Sequence, residues 1–325
     1  MDDAGMKHEM AHGYPFDPTH GYSLEQLLAV QAPEPPADFE AFWRGRYERT
    51  RNIAPKPKLR DTGADLPGGG RIFELSYSST DRVRVKGWVV LPQRGVVRRG
   101  FVVGHGYSGR TGPDATLPFP DAALVFPCLR GLGLTRHSTI SSDPQWHVLH
   151  DIQSREKYVL GGCVEDTWAA VTALLRLFPE AENHVGYLGI SFSGGVGALA
   201  VPWDARVSRA HLNVPTFGHH PLRLELGSLG SAASVQRHVR VHPAARATLA
   251  YFDAAVAARW MRIPVHCACA KFDPSVAPAG QFAIYNAIPG RKRLFTLTAG
   301  HHSHPEQARE ERELLREIDE FFRDM

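Results

Sequence analysis

Cysteine is scarce. The chain has four in 325 residues, Cys128, Cys163, Cys267 and Cys269, and no CxxC pair. This excludes a disulfide-stapled scaffold and the closely spaced thiolates of a structural zinc site. Cys267 and Cys269 lie in the apolar run VHCACA, which reads as a strand. They then share one face and are expected to be core thiols rather than a redox pair. No apolar run reaches membrane-spanning length, and the opening MDDAGMKHEM lacks the apolar centre of a secretory signal. Charge of one sign is also missing: 37 basic against 34 acidic residues leave +3. That balance gives no reason to expect nucleic acid or membrane as a partner. Internal repeats and low-complexity tracts are absent too. These absences point to a water-soluble, cytoplasmic protein.

Apolar residues make up 43% of the chain, enough for a large core. Residues 1–20 show no periodicity and are expected to be loose; residues 21–325 are expected to form one domain. DFEAFWRGRYERT predicts a helix with Phe39, Phe42, Trp43 and Tyr47 on one face. RIFELSYSST and RVRVKGWVVLP alternate at period two and predict an antiparallel pair at a sheet edge. From GFVVGH onward the pattern changes to short apolar runs ending in loops, the mark of buried parallel strands. AALVFP, HVGYLGIS, RAHLNVP, IPVHCACAKFD and RLFTLTAG continue that series, with helices such as CVEDTWAAVTALLRLFP between them. The expected fold class is α/β: a mostly parallel eight-stranded sheet with helices on both faces. Residues 217–262 show no strand and predict a largely helical insertion, above the sheet's C-terminal edge, before the last two strands.

The segment GISFSGG, residues 189–195, has two serines, each flanked by small residues two positions away. Either fits a nucleophile elbow, the sharp strand-to-helix turn that exposes a serine at a helix N-terminus. Spacing favours Ser191, because the strand from Val185 ends directly before it; Ser193 would need a longer strand. A serine hydroxyl needs a base to take its proton, and the base needs a partner to orient it. In this fold class the order is Ser, acid, His. Asp273 follows the run IPVHCACAKF, and His301 follows RLFTLTAG. Two backbone N–H groups must receive the oxyanion. Phe192, directly after the nucleophile, supplies one, and Tyr107 in VVGHGYSG is expected to supply the other. A Ser in a glycine-rich turn, an Asp before Pro and a His in a loop are each commonly structural. In this order, each at the end of a predicted strand, they point to a hydrolase triad.

The 17 histidines raise a rival reading. His301, His302 and His304 sit close together, and GHH recurs at 218–220. No HExxH spacing and no matching carboxylate accompany them, so no metal is expected.

PPADFEAFWRG, VRVKGWVVLP, GHGYSG, RGLG, HVGYLGISFSGG, LAYFDAA, KFDPSVAPAGQFAIYN and GHH together resemble the acetyl xylan esterase / cephalosporin C deacetylase family of carbohydrate esterases. The resemblance runs from about residue 22 to the C-terminus. It implies an α/β-hydrolase fold with Ser191 as nucleophile, Asp273 as acid, His301 as base, and the N–H groups of Tyr107 and Phe192 as oxyanion donors. It implies a serine esterase that hydrolyses small acyl esters, acetyl above all, of carbohydrates or related alcohols through an acyl-enzyme. The partner is then a small-molecule ester; no cofactor is required, and a homo-oligomer is compatible. Three positions depart from the family. Arg130-Gly131-Leu132 stands for Arg-Gly-Gln, Ser191-Phe192-Ser193 for Ser-Gln-Gly, and His301-His302 for His-Glu. Two alternatives share the fold: a general short-chain carboxylesterase, and a non-catalytic binding protein.

Overall fold

The computed structural model describes residue 10, residues 12–93 and residues 96–325. Among them nine strands form one sheet in the order β1-β2-β3-β5-β4-β6-β7-β8-β9. The strands are β1 (Lys58–Asp65), β2 (Arg71–Ser78), β3 (Arg84–Leu91), β4 (Arg99–Val103), β5 (Ala122–Cys128), β6 (Val185–Ile190), β7 (Val207–Asn213), β8 (Val265–Ala270) and β9 (Lys292–Leu297). β1, β2 and β3 pair antiparallel, β3 pairs antiparallel with β5, and the rest of the sheet is parallel. The fully buried apolar runs of β4, β5 and β8 match the expectation for central strands covered on both faces.

The sheet has nine strands rather than the expected eight, and the extra one is β1. Its sequence KLRDTGAD is polar and almost wholly exposed, so it has no hydrophobic alternation to read. The ladder to β2 holds it, with Arg60 directly opposite Glu74 and paired to it. A short charged strand at a sheet edge discourages further strand pairing.

The helices are α1 (Leu24–Ala29), α2 (Phe39–Arg51), α3 (Pro144–His147), α4 (Val159–Leu177), α5 (Phe192–Ala200), α6 (His220–Arg223), α7 (Ser231–Val241), α8 (Ala245–Tyr251), α9 (Ala254–Ala258), α10 (Pro278–Ala287) and α11 (Gln307–Phe322). On one face of the sheet α2, α4, α5, α9 and α10 enclose the larger core, which includes Trp43, Trp168, Phe192, Phe252 and Phe282. On the other face α11 lays Leu314, Ile318 and Phe322 against Phe101, Phe119 and Leu188. The connection from β4 to β5, residues 104–121, contains no helix. Arg110 ties it down: Nη2 donates to the Gly104 carbonyl at 2.9 Å, and the guanidinium lies 4.8 Å from the Phe126 ring centre. The segment 217–262 holds α6 to α9 and no strand, as expected.

The expectation of a loose segment over residues 1–20 needs correction where it can be followed. Residues 1–9 and 11 lie outside the described residues. Residues 12–20 pack against the C-terminal end of the sheet. The Pro18 carbonyl accepts the Asp273 N–H at 3.3 Å, and Tyr14 Oη lies 2.8 Å from His302 Nδ1. The rings of Tyr14, Phe272 and His302 cluster there. Polar and proline-rich local sequence gave no periodic signal for these contacts, because they are made with segments far along the chain.

β4 leads to β5 on one side, while β6 lies on its other side. Chain direction away from the sheet therefore diverges at β4 and β6, and a crevice opens beyond their carboxyl ends. Gly104–Tyr107 and Ser191 lie on either side of it.

Candidate active site

β6 ends at Ile190, and Ser191 is the N-cap of α5 with φ 52° and ψ −106°. A non-glycine residue in that region is strained by roughly 1–3 kcal/mol and persists only where its surroundings hold it. Three backbone hydrogen bonds do so. The Ser191 N–H donates to the Asn213 carbonyl at 2.8 Å, and its carbonyl accepts from Gly195 and Thr216, both at 3.1 Å. The tight turn needs Gly189, since a Cβ there would overlap the Ser193 carbonyl.

The two serines have different surroundings. Ser191 is partly exposed at the turn, and its Oγ lies 2.9 Å from His301 Nε2. Ser193 is fully buried beneath Gly104, with its Oγ unpartnered among the described residues. Its backbone serves the turn: the carbonyl accepts from Tyr187 Oη at 2.6 Å, and the N–H donates to the His105 carbonyl at 3.2 Å.

Asp273 follows β8 and is buried, with every carboxylate position used. Oδ1 accepts the N–H groups of Ser275 at 2.8 Å and Val276 at 2.9 Å. Oδ2 accepts from Gln281 Nε2 at 3.0 Å and from His301 Nδ1 at 2.8 Å. Gly300 lets the two loops approach, since a Cβ there would overlap Asp273 Oδ2. His301 follows β9. Burial pulls its pKa down, but the hydrogen bond and negative charge of Asp273 outweigh this, and the net shift is upward from 6.5. With Nδ1–H donating to a carboxylate, Nε2 carries the lone pair and faces the Ser191 hydroxyl. The three residues expected from sequence thus meet in one hydrogen-bonded chain.

The two expected oxyanion donors flank the same crevice. Neither the Tyr107 nor the Phe192 N–H has an acceptor among the described residues, and Phe192 opens α5, whose N-terminus favours negative charge. Two neutral histidines hold the Tyr107 loop. His105 donates from Nδ1 to the Gly106 carbonyl at 2.7 Å and accepts the Leu129 N–H at Nε2 at 3.0 Å. His147 donates from Nε2 to the Arg130 carbonyl at 2.9 Å and accepts from Tyr107 Oη at Nδ1 at 3.0 Å. Burial pushes both imidazoles down to about 4 and keeps them neutral. Arg130 is itself clamped by Asp166, Nε at 3.0 Å and Nη2 at 2.8 Å.

The three departures from the family pattern have separate places. Leu132 is buried in the core, the Phe192 ring packs beneath Tyr107 at 4.3 Å between ring centres, and His302 bonds Tyr14. The histidines that raised the metal reading disperse. His301 joins the triad, His302 meets Tyr14, and His304 lies 3.5 Å from Glu310. His219 caps α6, and His220 donates to the Phe252 carbonyl.

Reading the sequence left Gln281, His105 and His147 without roles. Gln281 was the most accessible of them: a polar residue within the apolar first part of the helix PAGQFAIYNA, soon after the acid. Its Oε1 accepts the Ala270 N–H at 2.8 Å while Nε2 holds Asp273, so it spans β8 and the acid loop.

Comparison with known proteins agrees with this architecture. The acetyl xylan esterase (AXE1) family profile matches residues 20–316. The acetyl xylan esterase from Paenibacillus sp. R4 superposes with a TM-score of 0.79 at 21% identity, covering 91% of this chain and 99% of that one. Acetyl xylan esterase 1 from Thermoanaerobacterium sp. JW/SL YS485 superposes with a TM-score of 0.76 at 18% identity, covering 93% and 99%. The acylaminoacyl peptidase of Pyrococcus horikoshii shares the fold over 84% of this chain and 42% of its own, with a TM-score of 0.61 at 14% identity. The shared fold is that of the α/β-hydrolases.

Proposed function

The chain belongs to the acetyl xylan esterase family, and from that premise we propose how its site works: it hydrolyses small acyl esters, acetyl above all, of carbohydrates or related alcohols, with Ser191 as nucleophile, His301 as base and Asp273 as the acid. The observation that carries the reading is the chain Ser191 Oγ to His301 Nε2 at 2.9 Å and His301 Nδ1 to Asp273 Oδ2 at 2.8 Å.

The steps follow from this geometry. The Ser191 hydroxyl donates to the lone pair on His301 Nε2, and its oxygen attacks the ester carbonyl while that proton passes to Nε2. The resulting imidazolium is stabilised by buried Asp273. The negative charge that develops on the carbonyl oxygen is received by the free N–H groups of Tyr107 and Phe192 and by the N-terminus of α5. Collapse of the tetrahedral species returns the proton from Nε2 to the leaving alcohol and leaves an acyl-serine. Water, deprotonated by the same imidazole, attacks the acyl carbon and releases the carboxylic acid. The strained Ser191 backbone holds Oγ in position before substrate arrives, so little reorganisation remains for the reaction.

The free, buried thiols of all four cysteines support a reducing, cytoplasmic location. Among the described residues no helix is long and apolar enough to cross a membrane.

The test is labelling with a serine-directed fluorophosphonate, peptide mapping of the adduct, and kinetics on acetylated sugars. Adduct on the peptide holding Ser191, together with turnover of sugar acetates, is the expected result. An unlabelled, inactive protein would leave only a binding role for the fold.

A further inference from the structure

The insertion between β7 and β8 carries a cation that the triad does not use. Arg223, at the end of α6, is 8% exposed. Its Nη2 donates to Ser231 Oγ at 3.1 Å, and the guanidinium lies 5.3 Å from the Phe217 ring centre. Among the described residues its buried Nη1 has no partner, and the guanidinium forms no salt bridge. The carboxylate of this region, Asp253, is already taken by the N–H groups of His219, His220, Ala255 and Val256.

A cavity of about 10 Å³ adjoins the guanidinium, lined also by Phe217, Ser228, Ser275, the α10 N-cap Ala277 and Gly280. That is room for one water-sized occupant. α10 is ten residues long; its N-cap, Ala277, makes no side-chain cap, and its first turn has no acidic residue. The cavity is therefore bordered by a guanidinium with no carboxylate in contact among the described residues and by the N-terminal end of α10, where the helix dipole favours negative charge. A water would satisfy Nη1 as an acceptor but leave the buried charge without a counterion in contact. A monatomic anion, somewhat larger than a water, supplies both the acceptor and a countercharge in contact.

We propose that Arg223, beside the N-terminal end of α10, binds a small monovalent anion of halide class, chloride under cellular conditions. The site stands independently of the esterase reading. It joins the insertion, through Arg223 and Ser228, to the loop of Ser275 and Val276, whose N–H groups hold Asp273 Oδ1. Bound anion therefore fixes the insertion against the acid loop, and its loss loosens both.

The experiment compares the intact wild-type protein in sodium chloride, sodium bromide and sodium gluconate at matched ionic strength, gluconate being too large for the cavity. The expected result is a melting temperature higher by about 3 °C or more at saturating halide, rising with the logarithm of halide concentration. This dependence should vanish in Arg223→Gln. Crystals of the wild-type protein grown in bromide should show an anomalous peak within hydrogen-bonding distance of Arg223 Nη1, an arm that does not depend on how the variant folds. Density for water alone at saturating bromide would overturn the proposal. So would a melting temperature that is equal in all three salts, or a halide effect that survives in Arg223→Gln.

Discussion

Replacing Asp273 with Asn removes one charge and almost no volume, so its effect isolates what that charge does. Four donors converge on the carboxylate: the N–H groups of Ser275 and Val276 on Oδ1, and Gln281 Nε2 and His301 Nδ1 on Oδ2. An amide has only one acceptor atom and cannot serve them all. With its oxygen toward the two loop N–H groups, its NH2 faces His301 and Gln281. His301 must then accept at Nδ1 and carry its proton on Nε2. That tautomer cannot take the proton of Ser191. With the amide reversed, two backbone N–H groups face an NH2 and the loop is forced open. The first arrangement costs less structurally, and losing the productive tautomer typically lowers kcat by about 10⁴, or ~5.5 kcal/mol of transition-state stabilisation. One buried donor, Gln281 Nε2, also loses this acceptor but keeps the Val276 carbonyl at 2.8 Å, so the stability loss should stay within about 1–3 kcal/mol. The assay is kcat/KM on 4-nitrophenyl acetate across pH, with thermal unfolding of both proteins. A folded Asp273→Asn protein that keeps more than a tenth of the wild-type rate would refute the reasoning, because the tautomer argument permits no such residue of activity.

Activity requires neutral His301, and Asp273 favours its protonated form, so the acid limb of kcat/KM should have its midpoint above 6.5. A midpoint below 6.5 in a pH profile would contradict this. Ser191→Ala should lower kcat by several orders of magnitude. Ser193→Ala should keep most of the activity and unfold no earlier than wild type, since it deletes a buried hydroxyl that has no partner; the opposite pattern in kinetics would exchange the two roles. The Tyr107 ring packs on Phe192, with Phe217 close behind at 6.5 Å, and this wall should leave room for a small acyl group. Acetyl esters should exceed butyryl esters of the same alcohol by at least about tenfold in kcat/KM, ~1.4 kcal/mol; a maximum at butyryl or longer in an acyl series would refute the small pocket.

The local sequence determined the alternation of strands and helices, and with it the α/β class. Apolar periodicity is a property of neighbouring residues, and in β4, β5 and β8 it leaves little freedom about what must be buried. The order Ser, Asp, His at the ends of predicted strands was equally legible, because each residue terminates a run that announces itself. Tertiary structure decided which serine meets the base. Ser191 and Ser193 share small flanking residues and the strand's end only favoured Ser191; the fold separates them by burying Ser193 and bringing the loop of His301, 110 residues downstream, to Ser191. The same holds for β1, a polar strand kept in place by its ladder to β2, and for residues 12–20, held by Asp273 and His302. Gln281, His105, His147 and Arg223 are ordinary polar residues to local inspection. Their meaning comes from where burial denies them water, and that is set by the packing of segments distant in the chain, which no local period records.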